Sequence, residues 1–447
     1  MRNPASGRGA RTVRPSARPL GGRVAVPGDK SIAHRALILG TLAEGDLRVR
    51  NLPESRDVLS TRRCLEALGA EIRDDRGRAS GEEPSVLVRG LGLLGLKAPV
   101  RELDCGNSGT TMRLLMGVLA GQPFEVVLAG DASLSRRPMK RVTEPLTQMG
   151  ASFDLSGLGH APVRLTGKRP LAALSYRLPV ASAQVKSALL LAGLYAEGET
   201  RVEDPYGTRD HTERMLLFLS SDGTPAVSRE GTTARVRSVA LRSGKALTVP
   251  GDPSSAAFFA AAAAIVPGSS VTLRRVLLNP SRLGFFDVLR RMGAAVRVKD
   301  GGSSGREPVG DIVVDHAPLK ATSVPASLIP TLIDEVPLLA VLAALADGET
   351  RIEGLGELRL KESDRLEGTA AGLRALGAEA RAEADTLIVR GPARLKGGEV
   401  QTRGDHRLAM AFAVAALAAE GETALSDGDC AAVSYPGFFE ELGRLAG

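Results

Sequence analysis

Six times along the chain an apolar stretch of helical length closes on a glycine turn and passes into a short strand. The turns are Glu44-Gly45-Asp46-Leu47-Arg48-Val49, Ala120-Gly121 before Phe124-Glu125-Val126-Val127, Glu197-Gly198-Glu199-Thr200-Arg201-Val202, Pro267-Gly268 before Val271-Thr272-Leu273, Asp347-Gly348-Glu349-Thr350-Arg351-Ile352, and Glu420-Gly421-Glu422-Thr423-Ala424-Leu425. They recur every ~70–80 residues, a longer period than that of solenoid repeats. In most units a second, amphipathic helix follows and stops at a glycine: Gly69, Gly150, Gly293, Gly377 or Gly443. Glycine there suits the left-handed residue that ends many helices. A strand of alternating character comes next, as in Ala295-Val296-Arg297-Val298. The third unit departs, with Ser220-Ser221-Asp222-Gly223 in place of the usual stop. Each unit reads as two helices and several short strands. A chain of 447 residues exceeds what one core usually organises, so six units imply an α/β protein of two domains with three units each. The seam is expected near Arg242-Ser243-Gly244-Lys245, where the sequence turns polar.

The polar chemistry sits at the starts of the six first helices. They read Pro27-Gly28-Asp29-Lys30-Ser31 with Arg35, Cys105-Gly106-Asn107-Ser108-Gly109-Thr110 with Arg113, Ala181-Ser182-Ala183-Gln184 with Lys186, Pro250-Gly251-Asp252-Pro253-Ser254-Ser255, Ile333-Asp334-Glu335, and Arg403-Gly404-Asp405-His406-Arg407. Ser, Asn and Asp are ordinary N-caps, and capping alone accounts for most of them. Capping does not account for Lys or Arg in the first turn, where a cation opposes the helix dipole by roughly 0.3–1 kcal/mol. An anion lying between dipole and cation resolves the conflict, because exposed N–H groups and a cation bind phosphate or carboxylate together. Two further polar clusters, Thr208-Arg209-Asp210-His211-Thr212-Glu213 and Lys361-Glu362-Ser363-Asp364-Arg365, read equally well as solvated loops or as parts of a site.

Composition narrows the field. The formal charge is +7, but Arg2, Arg8, Arg11, Arg14 and Arg18 lie in an acid-free leader, and without them it falls to +2. That leader, residues 1–18, is Pro/Gly/Ser-rich, lacks the apolar core of a secretory signal, and is expected to be a disordered tail. Aromatic residues make up 3% and Trp is absent, which leaves few stacking platforms for nucleic acid. The richest apolar run, residues 256–266, is too short to span a bilayer. Cys64, Cys105 and Cys430 are far apart in sequence and form no zinc or disulfide pattern, which fits a reducing cytoplasm.

Taken in order, these motifs resemble one family. Gly28-Asp29-Lys30-Ser31-Ile32-Ala33-His34-Arg35, Asn107-Ser108-Gly109-Thr110 with Met112-Arg113, Arg137-Pro138, Ser182-Ala183-Gln184-Val185-Lys186, Arg209-Asp210-His211-Thr212-Glu213, Lys361-Glu362-Ser363-Asp364-Arg365-Leu366 and Asp405-His406-Arg407 follow the pattern of 5-enolpyruvylshikimate-3-phosphate synthases, in the branch called class II. The resemblance runs from about Pro19 to the C-terminus. It implies the enolpyruvyl transferase fold, an inside-out α/β barrel of three βαβαββ units in each of two domains. It places one domain at residues 29–246 and the other at 19–28 plus 247–447, with the active site in the cleft between them.

The resemblance also implies roles. Lys30, Ser31, Arg35, Ser182, Ala183, Gln184, Arg209, Asp334 and Lys361 would hold shikimate 3-phosphate. Lys30, Gly109, Arg137, Gln184, Arg365 and Arg407 would hold phosphoenolpyruvate. Two phosphates and two carboxylates in one pocket need several cations to offset their repulsion, and arginine clamps both kinds of anion bidentately. Asp334 and Glu362 would move protons, with Lys30 assisting at the leaving oxygen. No cofactor or metal is implied, and the partners are the two small-molecule substrates of a monomer. Some relatives carry a Lys where Val433 stands here, which removes one expected cation. Gly109 leaves the room that glyphosate exploits in the family. The nearest rival is the same fold acting on UDP-N-acetylglucosamine, which uses a loop cysteine; Cys64 and Cys105 read instead as structural residues. A polyanion-binding protein is the more distant rival, and the acids Asp334 and Glu362 argue against it.

Overall fold

A computed structural model describes residues 9–75, 84–157, 159–220 and 223–446. By contact density the chain divides into two compact units. One comprises Gly28–Pro250 together with Ser303–Glu307; the other takes the described residues up to Pro27, Gly251–Gly302, and those from Pro308 onward.

Within the Gly28–Pro250 unit the repeat is plainest in the middle. Strand Leu103–Asp104 leads through helix Gly109–Leu119 to Glu125–Ala129, then through helix Lys140–Gln148 to Ser152–Ser156 and His160–Thr166. The first two strands run parallel, as a helical crossover requires, and the last two close the sheet antiparallel. The third repeat uses the same order from Ser175–Arg177 through Thr233–Arg237. The first repeat takes its opening strand from the far end of the segment, because Lys245–Thr248 runs parallel beside Leu47–Arg50. That pairing is why the division falls at Pro250 and Gly251, a few residues beyond the polar seam read from the sequence.

The other unit mirrors this arrangement. Gly21–Ala25 lies parallel to Ser270–Leu277, and Ser323–Val324 opens a second sheet beside Gly348–Ile352. In the last sheet Gly398–Val400 runs parallel to Thr423–Leu425, and the remaining edge is filled by Arg11–Val13. Here the expectation of a disordered tail over 1–18 needs correcting. Residues 1–8 lie outside the described residues, but Arg11–Val13 is a strand, Arg11 pairs with Asp429 at 2.6 Å and Arg14 with Glu422 at 2.8 Å. Backbone pairing with an otherwise open sheet edge supplies what the segment's few apolar residues do not. The departure noted at Ser221 and Asp222 lies outside the described residues.

The first helix of each repeat is the enclosed one. Every residue of Pro253–Ile265 and of His406–Ala416 is buried, and Val336–Leu345 is nearly so. Their alanines and leucines leave no polar face, as an enclosed helix requires. Close approach is built with glycine: a Cβ on Gly117 would stand 2.2 Å from the carbonyl oxygen of Ala188, so helices Gly109–Leu119 and Ala183–Gly193 meet backbone to backbone. No helix among the described residues is long and apolar enough to cross a membrane.

Candidate active site

In the Gly28–Pro250 unit, three helix N-termini are laced together by side chains. Asp29, Ser108 and Ser182 cap them, accepting from the backbone N–H groups of Ile32, Thr111 and Val185. Lys30 at the first of these ends reaches Asp57 at 2.9 Å. Thr111 Oγ1 donates to the Asp57 carbonyl at 3.3 Å and lies 2.6 Å from Thr61 Oγ1, which in turn touches His34 Nδ1 at 2.6 Å. Burial pushes the His34 imidazole down to about 3, so it is neutral near pH 7.

Arg35 links the first helix to the third. Its guanidinium donates to Thr212 Oγ1 at 2.7 Å, Ser187 Oγ at 2.6 Å and the Ser31 carbonyl at 2.7 Å. Burial lowers its pKa to about 10 against the pull of Glu213 and Asp29, and the charge of Arg209 pushes the same way as burial. Arg35, expected to hold shikimate 3-phosphate, fastens helices together in this structure and feels the charge of Arg209. Lys186, read as a first-turn cation, is also committed. It is buried, pairs with Asp204 and Glu213 at 2.9 Å each, and donates to the Thr208 carbonyl at 3.0 Å. Burial works to raise the Asp204 carboxyl, but Lys186 and Thr208 outweigh it and hold the group below its usual range.

At the second N-terminus, Gly109, Arg113, Arg137 and Gln184 converge. Arg113 Nη1 donates to Gln184 Oε1 at 2.8 Å, and Gln184 Nε2 donates to Thr110 Oγ1 at 2.9 Å. Arg137 Nη2 donates to Asn107 Oδ1 at 2.7 Å. A Cβ on Gly109 would lie 2.6 Å from Arg113 Nη1 and 3.4 Å from Arg137 Nη1, so the absent side chain is what admits both guanidiniums. Thr110, Arg113, Arg137, Ser182, Ala183 and Gln184 are all partly open to solvent. Arg113 was singled out in the sequence but given no role. Its spacing of four residues from Gly109, one helical turn, was the available signal.

The other unit carries the acids. Arg365 is buried and meets three carboxylates: Asp405 at 2.8 Å, Glu362 at 2.5 Å and Asp334 at 3.5 Å. Lys361 Nζ lies 3.6 Å from the same Asp334 oxygen. Burial opposes ionisation of Asp405, yet Arg365 holds its carboxyl below the usual range, while the three acids push Arg365 upward against burial. Asp405 also caps its helix by accepting from the N–H of Arg407 at 2.9 Å. Arg407 itself is buried, and its Nε has no hydrogen-bond partner. A buried donor without a partner is costly, by about 1–3 kcal/mol, and an anion at this helix end would satisfy it. Glu335 was named in the sequence without a role, and Arg282 was passed over. Glu335 accepts from Ser254 Oγ, and Arg282 donates to Asp252 at 2.9 Å and to Ser254 at 3.0 Å, all of them buried. Burial first, and then the neighbouring Asp334, raise the Glu335 carboxyl.

The described residues bring Asp210, His211 and Glu307 together closely enough to coordinate an ion, although the sequence showed no such cluster. Arg214 already pairs with Asp210 at 2.9 Å and approaches Glu307 at 3.6 Å, which leaves little uncompensated negative charge there.

Residues 15–442 match the family model described as EPSP synthase (3-phosphoshikimate 1-carboxyvinyltransferase). The chain belongs to the EPSP synthase family. The family's 3-phosphoshikimate 1-carboxyvinyltransferase of Halorhodospira halophila is 50% identical over 95% of this chain and 94% of its own length. That of Acidithiobacillus ferrooxidans is 52% identical over 95% of both chains. Among solved structures, EPSP synthase from Acinetobacter baumannii is similar with a TM-score of 0.85 and 41% identity, covering 98% of each chain. The enolpyruvyl transferase NikO of Streptomyces tendae, at 20% identity and a TM-score of 0.78, shares the fold. Cys64 and Cys105 are buried and Cys430 is half-buried.

Proposed function

We propose that the chain is a 3-phosphoshikimate 1-carboxyvinyltransferase, moving the enolpyruvyl group of phosphoenolpyruvate to the 5-hydroxyl of shikimate 3-phosphate with release of phosphate. The observation that carries this reading is the pairing of the family match over residues 15–442 with the chemistry of the polar clusters in the two units. One unit gathers Lys30, Arg113, Arg137 and open helix N-termini; the other sets Asp334 and Glu362 against Lys361 and Arg365. Both serve one reaction. Lys30, Ser31, Arg35, Ser182, Ala183, Gln184, Arg209, Asp334 and Lys361 hold shikimate 3-phosphate, and Arg35 also ties together the helices beneath it. Gly109, Arg137, Gln184, Arg365 and Arg407, with Lys30, hold phosphoenolpyruvate.

In the addition step the 5-oxygen forms a bond to C2 while C3 takes a proton and becomes a methyl group. In the elimination step C3 returns a proton and the C2–O bond to phosphate breaks. Asp334 accepts the hydroxyl proton, and Glu362 exchanges the proton at C3. Each needs a charge environment that sets its basicity, and Lys361 and Arg365 supply it. Substrate phosphate or carboxylate takes up the charge of Lys30, whose partner in this structure is Asp57. Positioning and electrostatic stabilisation by the cations provide much of the remaining acceleration. The enzyme acts as a cytoplasmic monomer on these two small molecules. The test is phosphate release from phosphoenolpyruvate with shikimate 3-phosphate and UDP-N-acetylglucosamine as alternative acceptors. Release with the first alone supports the reading, and release with the second alone overturns it.

A further inference from the structure

The hairpin between strands Ala295–Ser304 and Glu307–Asp315 turns on Gly305 and Arg306, whose φ values are 56° and 64°. Two successive left-handed residues make the tight turn that suits the twist of paired strands. Each tip residue is fixed from outside the hairpin. Ser304 Oγ donates to the Thr248 carbonyl at 2.6 Å, and the Arg306 carbonyl accepts from Arg214 Nη1 at 2.9 Å. A Cβ on Gly305 would stand 2.4 Å from Leu247 Cδ1. Glu307 then follows, and its carboxylate reaches His211 Nδ1 at 2.8 Å and approaches Arg214 Nε at 3.6 Å. The side chains of His211 and Glu307 are 1% and 2% exposed.

His211 Nε2 is buried without a hydrogen-bond partner. An unpaired N–H is the rarer and costlier orphan, so the proton belongs on Nδ1, where Glu307 accepts it. The Glu307 contact is one of four that fix the residues after Arg209. Asp210 is held by Arg214, His211 by Glu307, Thr212 by Arg35, and Glu213 by Lys186. Of these partners, Arg214 comes from the same helix, and Arg35 and Lys186 come from helices Lys30–Leu42 and Ala183–Gly193. Glu307 alone comes from the distant hairpin.

We propose that Glu307 is a positioning residue for shikimate 3-phosphate binding, acting through His211 on the loop that presents Arg209; this rests on the function proposed above. The contact fixes the first residue of helix His211–Leu219, and with it the backbone two residues before, where Arg209 leaves the loop. The geometry favours a brace over a cation site, because Arg214 stands against both acids.

The test compares wild type, Glu307→Ala and Glu307→Gln by calorimetric titration with shikimate 3-phosphate, alongside kcat, the KM for phosphoenolpyruvate and Tm. Glu307→Ala should weaken shikimate 3-phosphate binding about tenfold, the usual scale for one charge-assisted hydrogen bond, and shift the phosphoenolpyruvate KM far less. Glu307→Gln, which keeps an acceptor for Nδ1–H, should recover most of the loss. A drop in Tm and active fraction with unchanged shikimate 3-phosphate affinity makes Glu307 merely structural and overturns the proposal. So does a Tm increase on adding Zn2+ that Glu307→Gln abolishes. A wild type that binds and turns over neither substrate fails the function itself, whereas wild-type turnover with unmoved affinity in Glu307→Ala fails only the brace.

Discussion

Gly109 is the position where one methyl group would be felt most directly. A Cβ there would come within 2.6 Å of Arg113 Nη1, so Gly109→Ala must push at least that guanidinium aside. The KM for phosphoenolpyruvate should rise several-fold, and inhibition by glyphosate should weaken more than substrate binding does; equal inhibition of the two proteins would contradict the placement. Glu362 is the second decisive residue. Glu362→Gln removes the group assigned to the C3 proton while keeping an oxygen for Arg365, and kcat should fall by about 10²–10⁴, the range for loss of general acid–base catalysis. Near-normal turnover would end that assignment. His34 gives a stability signature. Its folded value of about 3 lies below the ordinary 6.5, so the unfolded chain binds the extra proton between those limits, and stability is lost as pH falls through that window. Between pH 7 and pH 5 this amounts to about 2 kcal/mol. His34→Gln, which can still bond Thr61, should flatten the dependence by that amount in urea unfolding.

At the scale of elements, helix starts were legible and their partners were not. Asp29, Ser108, Ser182, Asp252 and Asp405 all cap the helices where the sequence placed them, because an N-cap is a local bond between a side chain and an N–H two or three residues on. Lys186 looked just as exposed in sequence as Lys30. Its fate is set by Asp204 and Glu213, and nothing local announces those contacts. The strand Arg11–Val13 was illegible for the same reason, since its register with Thr423–Leu425 is fixed at the opposite end of the chain. Helix packing is a sharper matter. The 2.2 Å approach of a Gly117 Cβ to the Ala188 carbonyl leaves no room for adjustment by a flexible side chain. Gly117→Ala should therefore cost about 1–3 kcal/mol, as overpacked cores do, and lower Tm while the affinity for shikimate 3-phosphate in the folded fraction changes little. An unchanged Tm would mean the two helices are looser than they stand here.

For the molecule as a whole, the repeat count was readable because each unit closes on a glycine turn at a similar spacing. What could not be read was the exchange of opening strands: Gly21–Ala25 and Lys245–Thr248 each pair with a sheet other than the one their chain order first invites. Those two exchanges divide the chain into a unit that gathers cations and a unit that carries the acids. The proposed reaction runs by addition and then elimination. Its most direct test is turnover of phosphoenolpyruvate and shikimate 3-phosphate in D2O, followed by mass spectrometry of the product. If C3 passes through a methyl group protonated from solvent, deuterium must appear in the vinyl group of the product. A product formed at normal rate with no deuterium at C3 would contradict the account.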